Sequence, residues 1–309
     1  MNLQDPPHWT QSWYADDSAC ISSLEEVLFW MKLIIKEGPK YGYHLELTKC
    51  HLVVAPQFVE QATRLFSEFG VNVVQGQRFL GGFVGAEQDA NQWASLKIQS
   101  WVKSISVLAD VAKKQPQAAY VAVSKSLQNE WNYMQRVFPG CEELFYPLQC
   151  ALKDSFLPSL TEQSITEELF QILEKPTRMA GLGIRDPVQS SKYAFETSVK
   201  ATIMLSNAIV NEGKIDIDIY ERSLCAATAE MKKVKEDNDR SQLEELIELL
   251  PNNTSRKVRR ILESKCSTWL SIVPTMDNQM NFEMHCQCDI YFPQREFQIP
   301  VMDVGNILI

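Results

Sequence analysis

Long apolar runs are missing from this chain. The nearest approach, WMKLIIK, is already broken by Lys32 and Lys36, so no bilayer-length span is expected. The opening residues MNLQDPPHW lack the basic and apolar regions of a secretory signal, which points to an intracellular protein. Cysteine is sparse as well. Eight residues spread over 309 do not make a disulfide framework and suit reduced thiols. The Asn252–Thr254 and Asn253–Ser255 triplets then read as chance glycosylation matches. Basic charge is in deficit, with 30 Lys and Arg against 39 Asp and Glu, a formal charge of −9. That argues against a generic nucleic-acid binder but leaves room for a local basic groove on an acidic body. GxSxG and HExxH are absent, none of the four histidines sits in a context for nucleophilic catalysis, and no internal repeat is found.

What remains is an ordinary globular composition, 45% hydrophobic and 22% charged, in a chain long enough for two structural units. Residues 1–86 read as α+β. Residues 9–14 and 18–22 flank Asp16-Asp17 as a hairpin would. Leu24, Val27, Leu28, Met31, Ile34 and Ile35 follow helical spacing, opened by a capping box at Ser22–Glu25 or Ser23–Glu26 and closed by Gly38-Pro39. A strand is expected at His51–Ala55, a helix carrying Phe58, Ala62, Leu65, Phe66 and Phe69, and further strands in VNVV and RFLGGFVG. From 87 to 270 strand signals become rare. Amphipathic stripes run through Ile98–Ala112 and Tyr120–Phe138, and more helices are expected near 142–155, 164–174, 189–211, 215–236, 241–250 and 254–270. Residues 271–309 show no clear period, only a few short β-like pieces.

The densest chemistry lies at Asp16-Asp17. Enzymes that build nucleic acid use carboxylates to hold divalent ions roughly 3.5–4 Å apart, and Mg²⁺ takes few carboxylates, keeping water and substrate oxygens as its other ligands. Adjacent residues on a regular strand point to opposite faces, so one ion calls for a turn, with Asp16 the direct ligand and Asp17 in support. By themselves the letters YADD fit a solvated turn better than a metal site, since Asp favours turns through local hydrogen bonds. The segments downstream of YADD add to its weight by their order: a helix, a Gly-x-x-x-x-x-x-Lys segment (Gly42–Lys49), a strand and a Phe-Leu-Gly-Gly turn.

That succession resembles the later half of the palm of a retrotransposon reverse transcriptase, an RNA-directed DNA polymerase. Tyr14-Ala15-Asp16-Asp17 is similar to the family's metal-binding motif. GPKYGYHLELTKCHLVV (Gly38–Val54) resembles the next palm segment, and FLGGFVG (Phe79–Gly85) resembles the hairpin that grips the primer. LEKPTRMAGLGIRDP (Leu173–Pro187) and STWLSIVP (Ser267–Pro274) are similar to stretches found beyond the polymerase core of such proteins. The resemblance implies a partial palm over 1–86, a helical thumb-like and connecting region over 87–270, and Mg²⁺-dependent nucleotidyl transfer. Asp16 and Asp17 would be catalytic metal ligands, and Lys49 a neighbour of the phosphates of the incoming dNTP. Phe79, Leu80, Gly81 and Gly82 would contact an RNA/DNA primer–template. The family places fingers and a further aspartate ahead of this motif. Only 13 residues precede Tyr14, with Asp5 their sole acid, so the expectation is a fragment that does not polymerise DNA by itself.

Other features carry less. Lys49 also reads as an exposed strand-entry lysine, and Gly81-Gly82 serves a hairpin as well as it serves nucleic-acid contact. Gly181-x-Gly183 lacks the third glycine and preceding strand of a dinucleotide site and reads as a loop closing a helix. His285, Cys286 and Cys288, with Cys266 upstream, lack the paired spacings of a zinc site and read as ordinary thiols. Arg256, Lys257, Arg259, Arg260 and Lys265 form the densest basic stretch, open to phosphate contact or to plain solvation. Trp93, Trp101 and Trp131 lie on helical stripes and are expected in the core. The rival to the polymerase reading is a non-catalytic helical remnant that binds nucleic acid or protein.

Overall fold

The computed structural model describes residues 9–211 and 213–264. It is α+β and mostly helical, with three two-stranded sheets among the described residues. The chain divides into two compact units, one ending at Trp93 and the other beginning at Ala94. The division falls inside helix α3 (Glu87–Ala112) and not at its first residue.

In the first unit, β1 (Thr10–Tyr14) and β2 (Asp17–Ile21) form an antiparallel hairpin. Helix α1 (Leu24–Glu37) comes next, almost without a linker. Its capping box is Ser23–Glu26: Ser23 accepts from the Glu26 amide, and the Glu26 carboxylate accepts from Ser23 Oγ at 3.0 Å. The Ser22 hydroxyl donates to the same carboxylate. A 3₁₀ turn over Gly38–Tyr41 ends in Gly42, whose φ of 77° lets the chain reverse. Strands β3 (His51–Val53) and β4 (Asn72–Val74) pair in parallel, joined by a crossover that carries α2 (Val59–Leu65). A second hairpin, β5 (Gly76–Phe79) with β6 (Gly82–Gly85), closes the unit. The core is small. Trp30, Met31, Ile34 and Phe66 are buried, and Cys20, Leu28, Tyr43, Leu52 and Phe69 pack around them half-exposed.

Every regular element among the described residues of the second unit is helical. α4 (Pro116–Val121) passes into a π-helical stretch, Ala122–Leu127, and then α5 (Gln128–Val137). One uninterrupted α-helical period was expected over Tyr120–Phe138. The wider turn re-phases the stripe so that Tyr120, Gln128 and Gln135 all meet the 182–187 segment. α6 (Tyr146–Cys150) and α7 (Leu157–Thr161) are likewise joined by a π stretch, Ala151–Phe156. α8 (Glu167–Leu173), α9 (Pro187–Val210), α10 (Ile217–Leu249) and α11 (Asn252–Ser264) complete the described part. Trp101, Trp131, Phe145, Leu148, Phe156 and Leu160 are each at most 2% exposed, so each contributes roughly 1.5–3 kcal/mol by leaving water.

The helices expected at 215–236 and 241–250 are one helix, α10. The polar run EDNDRS spans the join, where Asp and Asn compete for nearby backbone. Asp239 is instead buried and accepts a 2.9 Å bond from Lys175 Nζ, which removes that competition. Lys175 also reaches Glu174 at 3.0 Å and Gln242 at 3.0 Å. Burial alone would pull its pKa down, but the Asp239 bond and the Glu174 charge outweigh that and hold it above the ordinary lysine value. The Leu173–Pro187 stretch wraps tightly around this lysine. A side chain on Gly181 would meet the Lys175 carbonyl at 1.9 Å, and Gly183 has a φ of 67°. Buried polar side chains satisfy its irregular backbone: Tyr120 Oη donates to Leu182 O at 2.6 Å, and Gln135 Nε2 donates to Pro187 O at 2.7 Å.

Candidate functional site

The acidic turn is built from the register of β1 and β2. Gln11 pairs with Cys20 and Trp13 with Ser18, which places these four on one face. That face rests on α1 and the segment behind it. Trp30 Nε1 donates to Gln11 Oε1 at 2.8 Å, and the Trp13 ring lies 6.3 Å from Trp30 and 5.3 Å edge-on from Tyr43. Burial, with a smaller contribution from Glu26, raises the Cys20 thiol above its ordinary pKa, so it stays protonated and serves packing.

Tyr14 pairs with Asp17 on the opposite face, where both are exposed. Between them the chain turns through two residues, Ala15 and Asp16. Ala15 takes a φ of 53°, a left-handed conformation that a non-glycine residue seldom adopts. The turn is held from behind: Tyr43 Oη donates to Asp16 O at 3.3 Å and lies 3.0 Å from Ser18 Oγ. Tyr43, Trp13 and Trp30 are thus the support of the turn, and the sequence motifs did not single them out. The one local hint is Gly42, the left-handed residue just before Tyr43 that aims it back at the hairpin.

Both aspartates point their chemistry at solvent. Among the described residues no ion pair or hydrogen bond engages either carboxylate, and no group of three His, Cys, Asp or Glu side chains is placed to hold a metal. Asp16 and Asp17 are the carboxylates of this turn that a magnesium ion would use, since that ion retains most of its water or takes substrate oxygens.

Lys49 ends a 3₁₀ turn, Leu47–Lys49, just before β3, and is exposed. Asn72 Nδ2 fixes this turn by donating to Thr48 O at 2.8 Å and Cys50 O at 3.3 Å. Lys49 makes no ion pair with Asp16 or Asp17. Phe79 pairs with Gly82 across the other two-residue turn, in which Leu80 and Gly81 have φ of 46° and 79°. Two successive positive φ values suit the twist of a two-residue hairpin, and Gly81 adopts one without strain. A side chain on Gly85 would stand 2.4 Å from Gly76 Cα, so the base of this hairpin requires close backbone approach.

Of the tryptophans expected in the core, Trp101 and Trp131 are buried, whereas Trp93 is half-buried and lies tilted against Phe83 at 5.7 Å. Lys265, the Ser267–Pro274 stretch, the whole 271–309 segment and the Cys266, His285, Cys286 and Cys288 cluster lie outside the described residues. No helix among the described residues is long and apolar enough to cross a membrane. Comparison with family models, curated proteins and solved structures returned no match.

Proposed function

We propose that this chain carries the later part of a polymerase palm, followed by a helical region of the kind found in retrotransposon reverse transcriptases. Its chemistry would be RNA-directed nucleotidyl transfer. The observation that supports the reading most is the hairpin at Tyr14–Asp17, which presents two uncommitted carboxylates from a strained turn braced by aromatic side chains. A left-handed non-glycine residue at the tip supports the reading, because strained backbone clusters at ligand clamps. Asp16 and Asp17 would help hold the divalent ions that neutralise charge on the attacking 3′-oxygen and the leaving pyrophosphate. Tyr43 and Trp13 hold the turn in place, Lys49 supplies a point charge for nucleotide phosphates, and Phe79–Gly82 brings backbone up to the primer strand. Transfer also needs a third carboxylate and fingers, so the reading is tested on the chain joined to an amino-terminal segment that supplies them. Primer extension on an RNA template with Mg²⁺ is expected from that joined protein and is expected to vanish with Asp16→Asn. Undiminished extension by the variant rejects the assignment.

A second reading, a non-catalytic interaction protein, is favoured by helix α9. Its inner face packs on α5 and α10, yet Val199, Ile203 and Val210 make an apolar stripe on the opposite side, exposed by 43, 50 and 76%. A helix apolar on two faces is usually covered on both. No extension by the joined, unmutated protein would leave this reading standing.

A further inference from the structure

Helices α9 and α10 pack on each other, yet a long stretch of both buries nothing completely. Ser191 and Asp239 mark its limits, and no described residue between them is buried. A helix gains most of its stability from what covers it, so this stretch profits from a further layer. The side of α9 turned away from α5 and α10 carries Lys192, Glu196, Val199, Ile203, Ser206 and Val210, all six exposed. Their spacing is 4-3-4-3-4, by which one helix lays a straight seam along another. Charge is uneven along the seam. Lys192, Glu196 and Lys200 fall in the first half of α9, and Ala201–Asn211 has no charged residue. Residues 211–222, which lead into α10, hold four acids against two bases, Asp216, Asp218 and Glu221 among the acids.

We propose that this side of α9 docks a second copy of the chain, the two α9 helices lying antiparallel about a two-fold axis near Ala201. A contact of that symmetry must complement itself. The register centred there sets Ile203 against the partner's Val199, Ser206 against the partner's Glu196, and Val210 against the partner's Lys192. Apolar side chains then meet at the centre, and a hydroxyl donates to a carboxylate on either flank. At each end the Lys192 stem covers the partner's Val210 and carries its ammonium toward the partner's Asp216 and Asp218. A parallel alignment instead brings Lys192 onto the partner's Lys192 and Glu196 onto the partner's Glu196, like charge on like. The seam is small. A strip about 30 Å long and about 10 Å wide covers roughly 300 Å² in projection, short of the about 800 Å² per partner of a stable dimer, so the copies exchange freely. The proposal rests on the exposed α9 stripe of the second reading and names its partner.

The test is sedimentation velocity of the full chain from about 1 to about 100 µM, a span that covers weak affinities. The mass is expected to rise from one chain toward two. Ser206→Glu sets a carboxylate against the partner's Glu196 and is expected to weaken association about tenfold or more. Adding Glu196→Lys to that variant is expected to restore it, because opposite charges then face each other in the antiparallel register. Tyr193→Glu alters an exposed residue of the same helix off the seam and is expected to associate as the parent does. A mass of one chain at every concentration overturns the proposal and leaves the stripe to a partner of different sequence. Association that Ser206→Glu does not weaken overturns it too, as does a double variant that fails to recover. Should the double variant fail to fold by circular dichroism, Ile203→Glu is measured instead, and undiminished association by it overturns the proposal. Primer extension by the joined protein is a separate readout. A dimer that extends primers rejects the non-catalytic reading and keeps this proposal, whereas a monomer that does not extend them does the reverse.

Discussion

The Tyr43 hydroxyl donates to the main-chain oxygen of Asp16 across 3.3 Å, and the same oxygen atom of Tyr43 lies 3.0 Å from Ser18 Oγ. One side chain thereby holds the acidic turn on both sides. Tyr43→Phe keeps the ring against Trp13 and removes only the hydroxyl. It is expected to loosen the turn by about 0.5–1.5 kcal/mol. Faster amide exchange at Ala15–Ser18, with α5 unchanged, is the expected readout; unchanged exchange would remove Tyr43 from the support of the turn.

Ala15 is the strained member of the pair at the tip, with a φ of 53°. Ala15→Gly relieves the contact between its side chain and the backbone, and the hairpin is expected to gain about 0.5–1 kcal/mol. Ala15→Val, branched at Cβ, is expected to shift it the other way. Amide protection across β1 and β2 measures both, and a loss of protection in the glycine variant would contradict the strain.

Gly181 has no room for a side chain. A methyl group there would lie 1.9 Å from the Lys175 carbonyl and 2.7 Å from that of Ile172, both backbone atoms that cannot swing aside. Gly181→Ala is therefore expected to cost the second unit upward of about 3 kcal/mol, in the range that only a few mechanisms reach. Thermal unfolding measured by circular dichroism decides it, and a melting temperature within a degree or so of the parent would refute the packing.

Tyr120 is buried, and burial pushes its hydroxyl up to about 12, only partly countered by the neighbouring Ser124. The unfolded chain releases the same proton near 10. Stability is thus whole below pH 10 and falls as the pH rises from about 10 to about 12, because the unfolded state ionises first. The drop from this one group is roughly 2–3 kcal/mol. Tyr120→Phe is expected to be less stable at neutral pH, having left the Leu182 carbonyl without its donor, but to show a shallower alkaline decline.

Much of the molecule could be read from local pattern. The first hairpin, α1 and its Ser23 cap, the Phe-Leu-Gly-Gly turn and the helical character after residue 87 all arise from short-range chemistry, and all are present, although RFLGGFVG, expected as one strand, is split by that turn into β5 and β6. Two features resisted such reading. The π-helical stretches at Ala122–Leu127 and Ala151–Phe156 break the period that a helical stripe assumes, and nothing in AVSKSL or ALKDSF advertises a wider turn. The join within α10 depended on Lys175, 64 residues away from Asp239, so no window along α10 could contain its cause.

The acidic turn divides in the same way. The residue types YADD, the small and aromatic neighbours and the helix after them are properties of the sequence, and they determine that two carboxylates sit together on a short hairpin. That the turn is strained at Ala15, braced by Tyr43 and backed by Trp13 and Trp30 was decided by tertiary structure, because those contacts join residues that are far apart in the chain. The basic face of α11 has the same origin. The sequence supplies Arg256, Arg259 and Arg260, but only the burial of Val258 and Ile261 beside α10 turns all three to one exposed side, which they share with Glu263.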